Sequence, residues 1–167
     1  MSFFHKKNYQ FKKKYLNAKA NIGETLWAKK VEREAKGNEQ VLVTKGEWKC
    51  NLFVYEMILD SGYDIGTPNK VRWISHPILT YKRKNLRPPC CSDWYNLKVE
   101  GFIYLGEGEK GKNNCQKGDI VTNGTHMGII AGDGKTISAN EKEVVENEWG
   151  YTGKEGVLRF FRYDDSQ

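Results

Sequence analysis

Two residues invite a chemical reading. Cys50 heads the run "KCNLFVY", and His126 heads the run "HMGII". A thiol attacks a carbonyl only as its thiolate. A free cysteine titrates near about 8.5, and a helix N-terminus with a nearby imidazolium lowers that value by units. Histidine is the usual base for such a nucleophile. The chain holds three histidines, His5, His76 and His126. His5 lies in a basic lead-in, His76 precedes Pro77 in an irregular stretch, and His126 opens a strand-like run. Only the last is expected on a rigid element.

The element under Cys50 is legible from spacing. Cys50, Phe53, Val54, Met57, Ile58 and Ser61 recur at steps of three and four, which places them on one face of a helix. Gly62 is a natural stop. Leu52, Tyr55 and Leu59 add apolar surface on other sides, so this helix is expected to be largely buried. With Cys50 at its start, unpaired backbone N–H groups point toward the sulfur. The Cys50 N–H is also the expected donor to the oxyanion of a tetrahedral intermediate.

A third group should orient the imidazole. The turn Gly132-Asp133-Gly134 decides which. A two-residue turn pairs Gly132 with Lys135 and sets His126 opposite Glu141. A three-residue loop ending in left-handed Gly134 pairs Ala131 with Lys135 and sets His126 opposite Asn140, with Ser138 diagonal on the same face. One residue of slip swaps the faces. The final glycine favours the longer loop, so Asn140 leads, Ser138 follows and Glu141 is third.

The rest of the chain supplies the scaffold. Its 167 residues suffice for one domain with a real core. Residues 1–20 read as a basic, partly helical lead-in, and 21–167 as a single catalytic domain. "TLWAKKVEREA" reads as a short amphipathic helix turning Leu26, Trp27, Ala28 and Val31 inward. Val41–Val43 is strand-like. Residues 62–100 are irregular around Pro68, Pro77 and Pro88-Pro89, and "CSDWYN" starts a short helix with Ser92 or Asp93 as cap. From Gly101 onward, short β runs alternate with glycine-rich turns. They fall at 102–105, 119–122, 126–131, 135–139, 143–147 and 156–163, the pattern of an antiparallel meander. Helices first and strands second indicate an α+β fold.

Composition removes several classes. Aromatic residues make up 13% of the chain, too many for a disordered one. No apolar run approaches the roughly 20 residues of a membrane span. The N-terminus lacks the apolar core of a secretory signal, so synthesis in the cytoplasm is expected. The net charge of +6 favours anionic partners such as nucleic acid, a membrane surface or anionic wall polymers. No zinc spacing, helix-turn-helix or single-strand-binding signature is present, so neither a metal nor a nucleic-acid partner is expected.

The blocks around both residues resemble the NlpC/p60 superfamily of papain-like cell-wall peptidases. They are "GETLWA", "KCNLFVYEMILDSG", "CQKGDIVTNGTHMGIIAGDGKTISAN", "VVENEWGY" and "LRFFRY". The resemblance covers roughly residues 20–163 and is most specific in the "GDIV…HMGII" block. It is nearest to a branch holding phage lysins and the amidase effectors of interbacterial secretion systems. "KCNL" in place of the usual "DCSG" fits that branch. The resemblance implies a papain-like fold, with the Cys50 helix packed on a central antiparallel sheet that carries His126. It implies hydrolysis of an amide in peptidoglycan stem peptides through an acyl-enzyme, without a cofactor. Many members carry histidine, asparagine, glutamine or glutamate where this chain has Ser138, so serine is a departure. Trp48 and Asn51, flanking Cys50, are the expected substrate contacts. A monomer acting at the cell wall or periplasm after delivery, with a cognate immunity protein, completes the expectation. The alternatives are an acyltransferase or deamidase on the same scaffold and, without enzyme activity, a basic nucleic-acid-binding module. The remaining sulfurs leave two options: a Cys90–Cys115 or Cys91–Cys115 bridge formed after export, or three free thiols.

Overall fold

A computed structural model describes residues 13–36, 38–63, 88–152, 154 and 156–164. The expectations for His5, His76, Pro68 and Pro77 lie outside the described residues.

Six strands form one antiparallel sheet. They are β3 (Phe102–Glu107), β4 (Ile120–Thr122), β5 (Met127–Gly132), β6 (Lys135–Ala139), β7 (Val144–Asn147) and β8 (Arg159–Tyr163). Each coincides with a run read from the sequence. Their order does not follow a plain meander: β3-β8-β4-β5-β6-β7. The last strand inserts between β3 and β4, where Phe160 and Phe161 pair with Val121 and Ile120. Those residues are fully or almost fully buried, which gives "RFFR" a reason to leave the edge for the centre. The architecture is α+β.

The helix α2 (Cys50–Asp60) packs across β5 and β6. The expected face is correct: Cys50, Phe53, Val54, Met57, Ile58 and Ser61 are all buried. Gly62 ends the helix with φ of +81°, and its N–H bonds to the Leu59 carbonyl. On the far side, buried Glu56 accepts Trp27 Nε1 at 3.0 Å, Arg33 at 2.9 Å and the Lys36 N–H at 3.0 Å. Burial nevertheless pushes its carboxyl above the ordinary value.

Residues 25–35 do not form the expected helix. Turns occupy 21–30, and β1 (Arg33–Ala35) pairs with β2 (Asn38–Val43) in a separate hairpin. Tertiary bonds outweigh the helical periodicity. The Gly23 N–H binds the Val144 carbonyl, the Val144 N–H binds the Glu24 carbonyl, and the Lys29 N–H binds the Glu141 carbonyl. The segment is thereby laced to the β7 edge. Trp27 and Ala28 reach the core, while Leu26 stays 50% exposed.

The basic lead-in is helical over 13–20, here α1. Lys14 and Ala18 on it are fully buried, so this half belongs to the packed body. Three further helices are short: α3 (Cys91–Tyr95), α4 (Gly108–Asn114) and α5 (Trp149–Thr152). The cap of α3 is Cys90 rather than Ser92 or Asp93, and the Asp93 carboxylate accepts the Cys90 N–H from the third helical position. Neither α4 nor α5 is apparent in the sequence. In α4, a side chain at Gly111 would collide with Phe160 and the Gly106 carbonyl, so glycine permits the polar segment to lie on β8.

Candidate active site

Cys50 is the first residue of α2, and no side chain caps that end. The first backbone N–H groups of the helix therefore have no side-chain acceptor. Lys49, buried just before it, sends its ammonium back to the Glu47 and Thr44 carbonyls. That contact anchors the loop and leaves the helix start clear.

His126 is the last loop residue before β5. Asn123 shapes the loop: its side-chain oxygen accepts the N–H groups of Thr125 and His126 at 3.0 and 2.8 Å. Thr122 Oγ1 closes it by donating to the His126 carbonyl at 2.7 Å. Gly124, with φ of +91°, lies against the Tyr95 ring, where a Cβ would sit 3.2 Å from it. The loop is thus held by hydrogen bonds and by α3.

The imidazole has three neighbours. It acts on the Cys50 thiol, whose pKa it lowers. Its Nε2 lies 3.1 Å from Ser138 Oγ. Its ring meets Trp149 edge-on, with centroids 4.5 Å apart. Ser138 is buried on β6.

The turn between β5 and β6 corrects one expectation while keeping its consequence. Gly132 pairs with Lys135, so the turn has two residues. Asp133 and Gly134 have φ of +52° and +72°, the left-handed pair that Asp-Gly supports. The register then shifts, leaving Ala131 unpaired before Ile130↔Thr136 and Ile129↔Ile137. This bulge restores the phase that a longer loop would have given. Carried on, the register sets His126 across from Asn140, with Ser138 diagonal and Glu141 out of phase.

Asn140 nevertheless does not serve the imidazole. Its side-chain oxygen accepts the N–H groups of Lys142 and Glu143 at 2.7 and 2.9 Å, making the turn into β7. The group on Nε2 is Ser138. Gly128 makes room for it: a Cβ there would lie 3.0 Å from the Ser138 Cβ and 2.8 Å from the Ile137 carbonyl oxygen.

Cys91 is the residue that spacing did not reveal. Its sulfur is 3.6 Å from that of Cys50. Cys50 is 2% exposed and Cys91 is 7% exposed. The Cys50 thiol is held well below its ordinary pKa, first by the hydrogen bond from Cys91. The bond and charge of His126 and the Met127 backbone act in the same direction, against burial. The same bond, with burial, pushes the Cys91 thiol up. The two sulfurs thus form a hydrogen-bonded pair in which either can be the donor. No sequence signal gives this contact, because it depends on α3 docking beside the start of α2. Trp149 was missed for a similar reason, since its helix is a single turn.

Trp48 and Asn51 diverge. Trp48, two residues before Cys50, is 52% exposed, and Lys29 Nζ lies 5.0 Å from its ring centroid. Lys29 also lines an open hollow with Lys30, Lys45 and Lys142, next to Glu141 and Glu143. Asn51 is tied to the scaffold: its Nδ2 donates to the Pro89 carbonyl at 3.3 Å, joining α2 to the approach to α3.

All four cysteines are free. Neither Cys90 nor Cys91 stands at Cys115. The Cys115 thiol donates to the Lys112 carbonyl at 3.2 Å and lies 3.6 Å from the Tyr151 hydroxyl. Among the described residues, no cluster of three or more His, Cys, Asp or Glu could hold a metal, and no helix is long and apolar enough to cross a membrane.

Compared with family models, curated proteins and solved structures, the chain has no match.

Proposed function

We propose that the protein is a papain-like cysteine hydrolase that cleaves an amide bond in the peptide stems of peptidoglycan. One observation carries the reading: Cys50 lies at the uncapped start of α2, His126 lowers the pKa of its thiol, and Nε2 of that imidazole lies 3.1 Å from Ser138 Oγ. This is the arrangement of an activated nucleophile, its base and an orienting group. The substrate class rests on the resemblance of the blocks around both residues to NlpC/p60 peptidases. The +6 net charge and Lys29 over the Trp48 ring agree with an anionic envelope as the working environment.

In this mechanism the Cys50 thiolate attacks the stem carbonyl, and the Cys50 N–H binds the developing oxyanion. The His126 imidazolium protonates the leaving amine. Neutral His126 then takes a proton from water, which attacks the acyl-enzyme and returns the thiolate.

Directed expression tests the reading. The chain should be harmless in the bacterial cytoplasm and lytic when exported to the periplasm, and Cys50→Ala should abolish lysis. Lysis by Cys50→Ala at the wild-type level would contradict the reading.

A further inference from the structure

Cys91 has no step in the hydrolysis just described. Yet it places a second sulfur against the nucleophile, in a chain whose other two thiols face oxygen. The Cys90 thiol donates to the Asp93 carboxylate at 3.0 Å, and Cys115 lies on Lys112 and Tyr151. Of the four sulfurs, those of Cys50 and Cys91 meet each other, at 3.6 Å. A disulfide bond is about 2.05 Å long, so closure needs a movement of about 1.5 Å, within reach of a side-chain rotation. The backbones on both sides are already tied, since Asn51, next to Cys50, bonds the Pro89 carbonyl two residues before Cys91.

We propose that Cys50 and Cys91 form a reversible dithiol–disulfide site, in which Cys91 is the resolving thiol for an oxidised Cys50. The oxidant is a small peroxide. Both sulfurs are almost fully buried, which favours a molecule of that size over a bulky disulfide such as oxidised glutathione. The Cys50 thiolate attacks one peroxide oxygen, the O–O bond breaks, and hydroxide leaves with the proton of Cys91 as the first water. Cys50 is now a sulfenic acid. The Cys91 thiolate attacks that sulfur, the S–O bond breaks, and the second hydroxide takes the proton of the His126 imidazolium as the second water. The two sulfurs lose two electrons, and the peroxide gains them. A dithiol reductant reverses the bond.

The electrostatics suit both roles. The contact with Cys91 and with His126 lowers the Cys50 thiol, while burial and the contact with Cys50 push the Cys91 thiol up, the order that an attacking and a resolving thiol require. The consequence follows from position. With Sγ of Cys50 bonded to Cys91, no nucleophile faces substrate. Without Cys91, the sulfenic acid has no neighbouring thiol and continues to the sulfinic and sulfonic acids, which dithiols do not reduce. Loss of activity on oxidation rests on the hydrolase reading; the sulfur chemistry does not.

The test is peptide mapping of the folded full chain after treatment with hydrogen peroxide. Cys90→Ser removes the adjacent thiol and makes the linkage unambiguous. Both wild type and Cys90→Ser should lose two hydrogens, yield a linked peptide pair containing Cys50 and Cys91, and recover both thiols in dithiothreitol. Under the same treatment, Cys91→Ser should gain two or three oxygens on Cys50 that dithiothreitol does not remove. Oxygen addition at Cys50 in Cys90→Ser without linkage, or a Cys115-containing linkage as the main product, would overturn the proposal even if Cys91→Ser fails to fold. Peptidoglycan cleavage by the reduced protein is assayed separately. Linked peptides without cleavage sink the hydrolase reading alone, and cleavage without linked peptides sinks this one alone.

Discussion

Ser138 Oγ lies 3.1 Å from Nε2 of His126, while Asn140, two positions along, spends its side-chain oxygen on the backbone of Lys142 and Glu143. Both were candidates for orienting the imidazole, and they now separate by experiment. Ser138→Ala removes one neutral hydrogen bond, worth about 1 kcal/mol, and should lower kcat/KM roughly fivefold. Asn140→Ala should leave kcat/KM within a factor of about two and cost stability instead, about 1 kcal/mol for a lost turn acceptor. Steady-state kinetics and denaturant melts of both variants decide between them. A larger kinetic loss in Asn140→Ala reverses the assignment.

Gly128 lies where β5 passes closest to Ser138. An added Cβ would meet the Ile137 carbonyl oxygen at 2.8 Å and the Ser138 Cβ at 3.0 Å. Gly128→Ala should therefore push β6 away and cost about 1–3 kcal/mol of stability as overpacking. Activity should fall by more than in Ser138→Ala, because the strand moves as well as the hydroxyl. A variant with wild-type melting and wild-type activity would show that the two strands have room to spare.

The depressed pKa of Cys50 has a direction that alkylation reads. The rate with iodoacetamide should fall only as the pH drops through a value below the ordinary thiol range. Removing the Cys91 donor in Cys91→Ala should shift that fall toward the ordinary thiol range, near about 8.5. The same depression ties stability to pH. Its contribution is complete above the unfolded thiol value and is lost as pH falls through the folded one. A Cys91→Ala profile that overlays the wild type would remove Cys91 from the account of ionisation.

Glu56 is a structural test remote from the sulfur. It gathers Trp27, Arg33 and the Lys36 N–H at the back of α2. Glu56→Ala strands three donors and should cost about 3 kcal/mol, read by urea unfolding. A cost under about 1 kcal/mol would mean that Arg33, which is partly exposed, finds water instead.

The parts legible in the sequence are those set by local period. The face of α2, its glycine stop and all six sheet strands follow from spacing alone. What escaped depends on partners distant in the chain. The 25–35 segment has a helical pattern but takes its hydrogen bonds from β7. The insertion of β8 between β3 and β4 is a choice of neighbour that alternation cannot encode. The turn at Asp133-Gly134 is shorter than its last glycine suggested, and a bulge at Ala131 makes up the phase, so His126 reached the right face by another route. The short helix that starts at Cys91 is legible, but only its docking beside the start of α2 brings Cys91 to Cys50.

The most direct measurement is mass spectrometry of purified peptidoglycan fragments after incubation with the reduced protein. The account predicts that wild type cuts a stem amide, that no product carries a transferred group when water is the only acceptor, and that Cys50→Ala and His126→Ala leave the fragments intact. An unchanged fragment pattern with wild type, or equal cleavage by Cys50→Ala, would contradict it.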